Sequence, residues 1–266
     1  MRITYRSISN KDYWHERWSQ VEVDAETNNA DVYPLKYALM AIDHNDGPIL
    51  EAGCGNGRLL KYFHSRGHEI TGIDFIEAAI SKIKDSDARL KASVANILDT
   101  GFEDSSFQTL LAFGLFHNLE LGLENAMAET LRVLKPNGLC CASFRADNLH
   151  TRLTDWLSNH RRRGSKSVQT VFHKANFKAK ELTDLFYSCG FESVNVFPVE
   201  NMSIFYRFAI LRQKSHRVFD EHLGRAEGYR LNLLGKTLDK VTFDLFPTYF
   251  CSVFVVFASK PATVPS

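Results

Sequence analysis

The chain has 266 residues, of which 44% are hydrophobic and 24% charged, and a formal net charge of +1. That length suits one large α/β domain or one domain with a sizeable insertion, and the charge balance speaks against bulk nucleic-acid binding, which goes with a strongly basic face. No stretch approaches the ~20 apolar residues that span a bilayer, and the charged start "MRITYRSISNKDYWHERWSQ" lacks the apolar core of a secretory signal, so a cytoplasmic protein is expected.

Residues 1–47 read as mostly helical with aromatic clusters. In "DYWHERW", the residues Tyr13, Trp14, Arg17 and Trp18 suit either an amphipathic helix packed on the core or a lid over a ligand. From "GPILEAG" onward, strand-sized apolar runs at 48–53, 69–74, 89–95, 107–113 and 138–144 alternate with helix-like segments at 57–66, 76–84 and 121–134. The last segment repeats apolar residues at helical spacing and stops at "KPNG", a breaker that launches the next strand. Strands alternating with helices imply parallel pairing, right-handed crossovers and helices on both faces of the sheet. The expected fold is doubly wound α/β.

Residues 145–177 read as a polar connection with the basic run "HRRRGSK" at 160–166. Such a run is a solvated surface or a site for an anionic group. Two further strand-like runs, "FESVNVFPV" and "TYFCSVFVVFASK", enclose residues 201–247. Apolar spacing there (Ile204, Phe208, Leu211, then Val218, Phe219, Leu223) predicts a helical insertion that serves as a substrate cap or a dimer contact. The expected organisation is one domain over 1–266, with core sheet from 48–200 and 248–260. The five cysteines form no CxxC pair and no metal-like spacing, which predicts reduced thiols and no metal site.

The stretch "ILEAGCGNGRLL" carries Gly53, Gly55 and Gly57 within five positions directly after an apolar run. Glycine there weakens regular structure, so the cluster marks a sharp turn or a close approach to a ligand. The first strand–turn–helix crossover of a doubly wound sheet is where nucleotides bind. A dinucleotide fingerprint needs a third glycine where this chain has Arg58, so the pattern is GxGxG preceded by Glu51.

This segment resembles motif I, (D/E)xGxGxG, of class I S-adenosylmethionine-dependent methyltransferases. Three further stretches follow in register. "GIDFIEAAI" ends its strand on Asp74; "VANILDTGFEDSSFQTLLAFGLFHNL" is similar to the family's "GDxxxLPFxDxSFD…hH"; and "ETLRVLKPNGLCCASF" is similar to its "ExxRVLKPGGxxxxS". The resemblance spans about residues 48–145 and, more weakly, "FKAKELTDLFYSCGF". It implies a mostly parallel seven-stranded sheet, an N-terminal lid and S-adenosylmethionine as cofactor, released as S-adenosylhomocysteine.

The resemblance also assigns residues. Glu51 and the amides from Cys54 through Gly55 to Gly57 would face the methionine portion, with Gly53 bringing backbone close to the ligand, and Asp74 would take the ribose. Phe75 and Ile76 would clamp the adenine, with Asn96 and Ile97 at its amino edge. Phe113, Gly114 and Leu115 would border the sulfonium, and Tyr13, Trp14, Arg17 and Trp18 would close over the cofactor. His117, in "GLFHNLE", is the candidate general base, or else a histidine that orders its loop. Candidate substrate residues are Phe144, Arg145, Phe172, His173, Tyr206 and Arg207.

Methyl transfer is an in-line displacement that needs alignment and dryness more than a universal catalytic group. The "(D/N)PP(Y/F)" sequence of nucleobase-amino methylation is missing after the fourth strand. The expected acceptor is therefore a small or lipid-like molecule. Alternatives are RNA, protein or a cell-envelope glycan as acceptor, and a protein that binds the cofactor without catalysis.

Overall fold

The computed structural model describes residues 1–20, 30–43, 45–162, 170–200, 202–214 and 230–262. Seven strands form the main sheet: β2 (Ile49–Ala52), β3 (Ile70–Asp74), β4 (Lys91–Val94), β5 (Phe107–Ala112), β6 (Leu134–Arg145), β8 (Glu192–Val199) and β9 (Val253–Ser259). Their order is β4-β3-β2-β5-β6-β9-β8. The five strands from β4 to β6 pair in parallel, and β9 joins β6 and β8 antiparallel. The predicted doubly wound, mostly parallel seven-stranded sheet is thus observed.

Two apolar layers account for this arrangement. On one face, α2 (Leu35–Ile42), α3 (Arg58–His64) and α4 (Glu77–Ser86) bury Leu35, Leu60, Phe63 and Ile83 against Ile49 and Ile70. On the other, α5 (Leu123–Val133) and α7 (Ala179–Ser188) bury Met127, Val133, Leu182 and Phe186 against Leu110, Phe144 and Val256. Every residue of β2 is buried, as a central strand covered on both faces requires. Sequence order reverses between β2 and β5, so a crevice opens at the carboxyl ends of these strands.

Three regions depart from expectation. Residues 1–47 were expected to be mostly helical, yet they open with β1 (Arg2–Arg6) before α1 (Asn10–Gln20). Within the expected polar connection 145–177 lie α6 (Leu149–Arg162) and β7 (Val171–Asn176). β1 and β7 pair antiparallel as a separate ribbon, a partnership between distant segments that neither announces locally. In the insertion, Ile204, Phe208 and Leu211 lie on or beside two 3-10 turns (Ile204–Arg207 and Ala209–Leu211) rather than on an α-helix. α8 (Leu233–Leu245) and the short α9 (Pro247–Phe250) follow. The helix expected around Val218, Phe219 and Leu223, and the side chains of the basic run 160–166, lie outside the described residues. No helix among the described residues is long and apolar enough to cross a membrane.

Candidate functional site

β2 ends in the glycine loop, where Gly53, Gly55 and Gly57 have φ of +72°, +51° and +71°. L side chains rarely adopt this left-handed region. The loop's amides point inward. Gly53 and Cys54 donate to the Ile73 carbonyl, and Gly57 to that of Cys54. The Gly55 amide donates to Asp74 Oδ2 at 2.9 Å. The expectation that amides from Cys54 to Gly57 face the methionine portion is therefore corrected at Cys54, Gly55 and Gly57. The glycines instead let side chains close on the loop, Leu115 on Gly53, Trp18 on Gly55 and Ile83 on Gly57.

Asp74, at the tip of β3, is buried, and its Oδ1 accepts from the Ile76 amide at 2.9 Å. Burial pushes this carboxyl above its ordinary range, opposed by the amides of Ile76, Gly55 and Phe75. Each oxygen keeps a further lone pair for a hydroxyl donor. Glu51 is also buried, and its Oε2 accepts from the Leu60 amide at 2.9 Å, in the first turn of α3. Burial pushes Glu51 up to about 8. Its visible contact secures α3 to β2.

Over the loop lies α1. A Cβ built on Gly55 would come within 2.6 Å of Trp18 Cζ2, so the indole rests directly on the glycine. Trp14 stacks on Trp18 with centroids 5.5 Å apart, and Tyr13 meets Trp14 edge-on. Lys82 Nζ, on α4, donates to the carbonyls of Trp18 and Ser19 at 2.8 and 2.7 Å. Arg17 is half-buried on the same helix.

Beyond β5, Phe113, Gly114 and Leu115 lead into a 3-10 turn, Phe116–Asn118. Leu115 lies against Gly53, 3.2 Å from the position of a Cβ there. The Gly114 amide donates to Ser143 Oγ at 2.9 Å, and the Tyr33 hydroxyl lies 2.8 Å from that same oxygen. The Tyr33 ring meets Phe113 edge-on. Asn10 Nδ2 donates to the Asn118 carbonyl at 2.7 Å, tying α1 to the turn.

His117 Nδ1 lies 3.3 Å from the Ser143 carbonyl, a contact that requires the proton on Nδ1 and leaves Nε2 as an acceptor. Burial first, then Lys174, pushes this imidazole down to about 3. The site thus favours the neutral imidazole, with Nε2 presented as an acceptor.

Other predicted residues divide. Ile76 and Ile97 are buried beside the loop ends, and Phe75 is exposed. Asn96 is exposed, and its side-chain carbonyl accepts from the Leu98 amide at 3.0 Å, so its local turn already engages the expected adenine acceptor. Phe144 is fully buried between Phe116, Phe177 and Phe186, and Phe172 joins the same cluster. Both are core residues, corrected from substrate candidates. Tyr206 is buried with Leu211 and Leu231 inside the insertion, under the Arg212 guanidinium, and is likewise corrected. Arg145, His173 and Arg207 instead share one electrostatic environment. Sequence reasoning missed Tyr33, Ser143, Asn10 and Lys82, whose roles arise from contacts between distant segments. A separate cleft of ≈520 Å³ lined by residues such as His64, Asp87 and Arg89 lies beyond the carboxyl ends of α3 and α4, away from the loop.

Residues 50–142, from within β2 to within β6, match the family model described as a methyltransferase domain. A probable S-adenosylmethionine-dependent methyltransferase of Mycolicibacterium smegmatis is 26% identical over 144 residues, covering 54% of this chain and 51% of its own length. Residues 50–142 thus match a methyltransferase domain and resemble S-adenosylmethionine-dependent methyltransferases. An S-adenosyl-L-methionine-dependent Diels-Alderase of Talaromyces variabilis is 33% identical over 129 residues, covering 41% of this chain and 42% of that one. A solved S-adenosylmethionine-dependent methyltransferase of Methanosarcina mazei shares the methyltransferase fold, with a TM-score of 0.56, 20% identity, and coverage of 88% of this chain and all of that one. The chain spans about half the length of the first curated methyltransferases it matches.

The methyltransferase site fits its cofactor in the donor set it presents. Asp74 provides buried carboxylate lone pairs one loop away from three left-handed glycines, the surface a ribose and a flat purine require. Trp18 supplies an aromatic wall over Gly55.

Proposed function

We propose that this protein transfers a methyl group from S-adenosylmethionine to a small-molecule or lipid-like acceptor. The observation that supports the reading is the hydrogen bond from Gly55 to Asp74 at the strand-order reversal, which ties the carboxylate we assign to the ribose to the glycine loop. When bound, the cofactor supplies an electrophilic methyl carbon on a positive sulfur. The chain's own residues then do the rest. Asp74 accepts from ribose hydroxyls beside the turn that Gly53, Gly55 and Gly57 form. Ile76 and Ile97 border the base, with Phe75 beside it. Phe113, Gly114 and Leu115 form the rim from which the methyl faces the acceptor. Trp18 and Trp14 exclude water, which favours a displacement that disperses charge. His117 Nε2 accepts a hydrogen bond from the acceptor and orients it.

Calorimetric titration with S-adenosylhomocysteine and incubation with labelled cofactor plus a cell extract test this reading. Saturable binding with labelled product of low mass is expected; binding of NAD in place of S-adenosylhomocysteine would overturn it. A second reading, cofactor binding without methyl transfer, draws on the Diels-Alderase relative. It predicts binding with no labelled product. For assembly, exposed Leu233, Leu234, Val241 and Leu245 on α8 support self-association through 201–247. Sedimentation should then show a concentration-dependent dimer that Leu234→Glu abolishes.

A further inference from the structure

The carboxyl end of β6 gathers several cations around the carboxylates Asp147 and Asp155. Arg145 ends that strand; burial lowers the pKa of its guanidinium, Asp155 opposes this by charge and by a hydrogen bond, and Arg2 and Arg207 add repulsion. Its nearest anion is Asp155, 3.6 Å from Nη2. Asp155 lies closer to Arg2, at 2.8 Å. The other local carboxylate, Asp147, is held by Arg2 Nε at 2.7 Å and by Arg152 at 2.9 Å. Among the described residues, Nε of Arg145 and Nε of Arg6 are buried with no hydrogen-bond partner. A buried donor left unmatched is costly; Arg6 is otherwise held through Nη2 by Asn10 and the Ser9 carbonyl and lies over the Tyr13 ring, so in both residues Nε is the group still open to an acceptor.

The two histidines nearby report the same field. His173, on β7, is pushed down to about 3 by burial first, then by Lys174, Arg6, Arg145 and His117. His117 feels burial, Lys174 and Arg145. Lys174 and Arg145 thus both bear on His117, the residue we assign to the acceptor side. Arg145 also lies two residues along β6 from Ser143, whose carbonyl positions His117 and whose hydroxyl holds Gly114. The β1–β7 ribbon carries both Arg6 and Lys174, and the charges of both bear on His173.

We propose that Arg145, with Arg6 and Lys174, binds an oxyanion group of the methyl acceptor, a carboxylate or a phosphate, beside the site of transfer. This rests on the methyltransferase reading and narrows it to an anionic acceptor class. A guanidinium presents a planar fork matched to two oxygens, so Arg145 anchors the group and the other two cations close around it. An anion there also offsets the cationic field on His117 and restores part of its basicity.

The test uses the full chain loaded with S-adenosylhomocysteine and titrated with benzoate, phenyl phosphate and uncharged benzamide. Saturable binding of one or both anions, at least tenfold tighter than benzamide, is expected. Preference for benzoate assigns a carboxylate, and preference for phenyl phosphate a phosphate. Arg145→Gln and, independently, Lys174→Gln should each weaken that binding about tenfold. S-adenosylhomocysteine affinity should stay within about twofold, which also shows that the variants fold. Under anion saturation, imidazole NMR should show His117 or His173 titrating about one pH unit higher, as a compensating charge requires. Equal binding of benzamide, or unchanged anion affinity in both folded variants, would overturn the inference. Failure of S-adenosylhomocysteine to bind the wild type would instead sink the methyltransferase reading, and anion titration of the unloaded protein would still decide this one.

Discussion

Trp18 lies so close to Gly55 that a methyl group at the glycine would sit 2.6 Å from the indole ring. One relationship thus joins the N-terminal helix to the glycine loop, and Lys82 clamps it from α4 through the Trp18 carbonyl. Gly55→Ala must adopt φ near +51° and also displace the ring. The left-handed backbone alone costs about 1–2 kcal/mol. Binding of S-adenosylhomocysteine is expected to weaken about tenfold, with a change in tryptophan fluorescence. Unchanged fluorescence and affinity would show that the indole does not rest on the loop.

Asp74→Asn keeps one side-chain acceptor but turns an NH2 toward either the Gly55 or the Ile76 amide. Leaving a buried donor unmatched costs about 1–3 kcal/mol. The variant should melt lower and bind S-adenosylhomocysteine more weakly than Asp74→Glu. Equal melting temperatures for Asp74→Asn and wild type would contradict the bonding described.

Glu51 gives a pH dependence of known sign. Its folded-state pKa is raised from 4.5 to about 8 by burial. The neutral carboxyl's contribution is fully present below pH 4.5 and is lost as pH rises toward 8. Glu51→Gln can keep the acceptor to the Leu60 amide without the titration, so its stability should vary less between pH 5 and 8. Parallel denaturation curves for the two proteins across that range would refute the assignment.

The histidines act in the opposite direction. His117 and His173 are both depressed from 6.5 to about 3. Their contribution is complete above pH 6.5 and is lost as pH falls toward 3. In the free protein, imidazole NMR should show both rings neutral at pH 6, with the proton of His117 on Nδ1. Protonation near pH 6.5 would remove the burial argument.

Phe144→Ala addresses a core residue rather than a pocket wall. Its ring stacks on Phe116 with centroids 5.7 Å apart and is fully buried. Truncation should cost about 3–5 kcal/mol of stability, the usual range for a buried phenylalanine. Under conditions where the variant remains folded, cofactor affinity should persist. Loss of affinity with unaltered stability would return this residue to the pocket.

The sequence by itself determined the sheet from β2 to β6, the glycine turn and the position of Asp74. These follow from local rules: buried strands read as apolar runs, helices repeat every 3.6 residues, and a left-handed turn calls for glycine. It also marked Arg145, His173 and Arg207 as candidates without showing that they share a field. Tertiary structure alone decided the rest. β1 finds β7 across the chain, Tyr33 reaches Ser143, and Trp18 settles on Gly55. Phe144 and Phe172 leave the candidate site for the core. Such outcomes depend on which distant surfaces meet. Charge and burial act through space, so the basicity of His117 is a property of its neighbours Lys174 and Arg145 and of the water they and the core exclude.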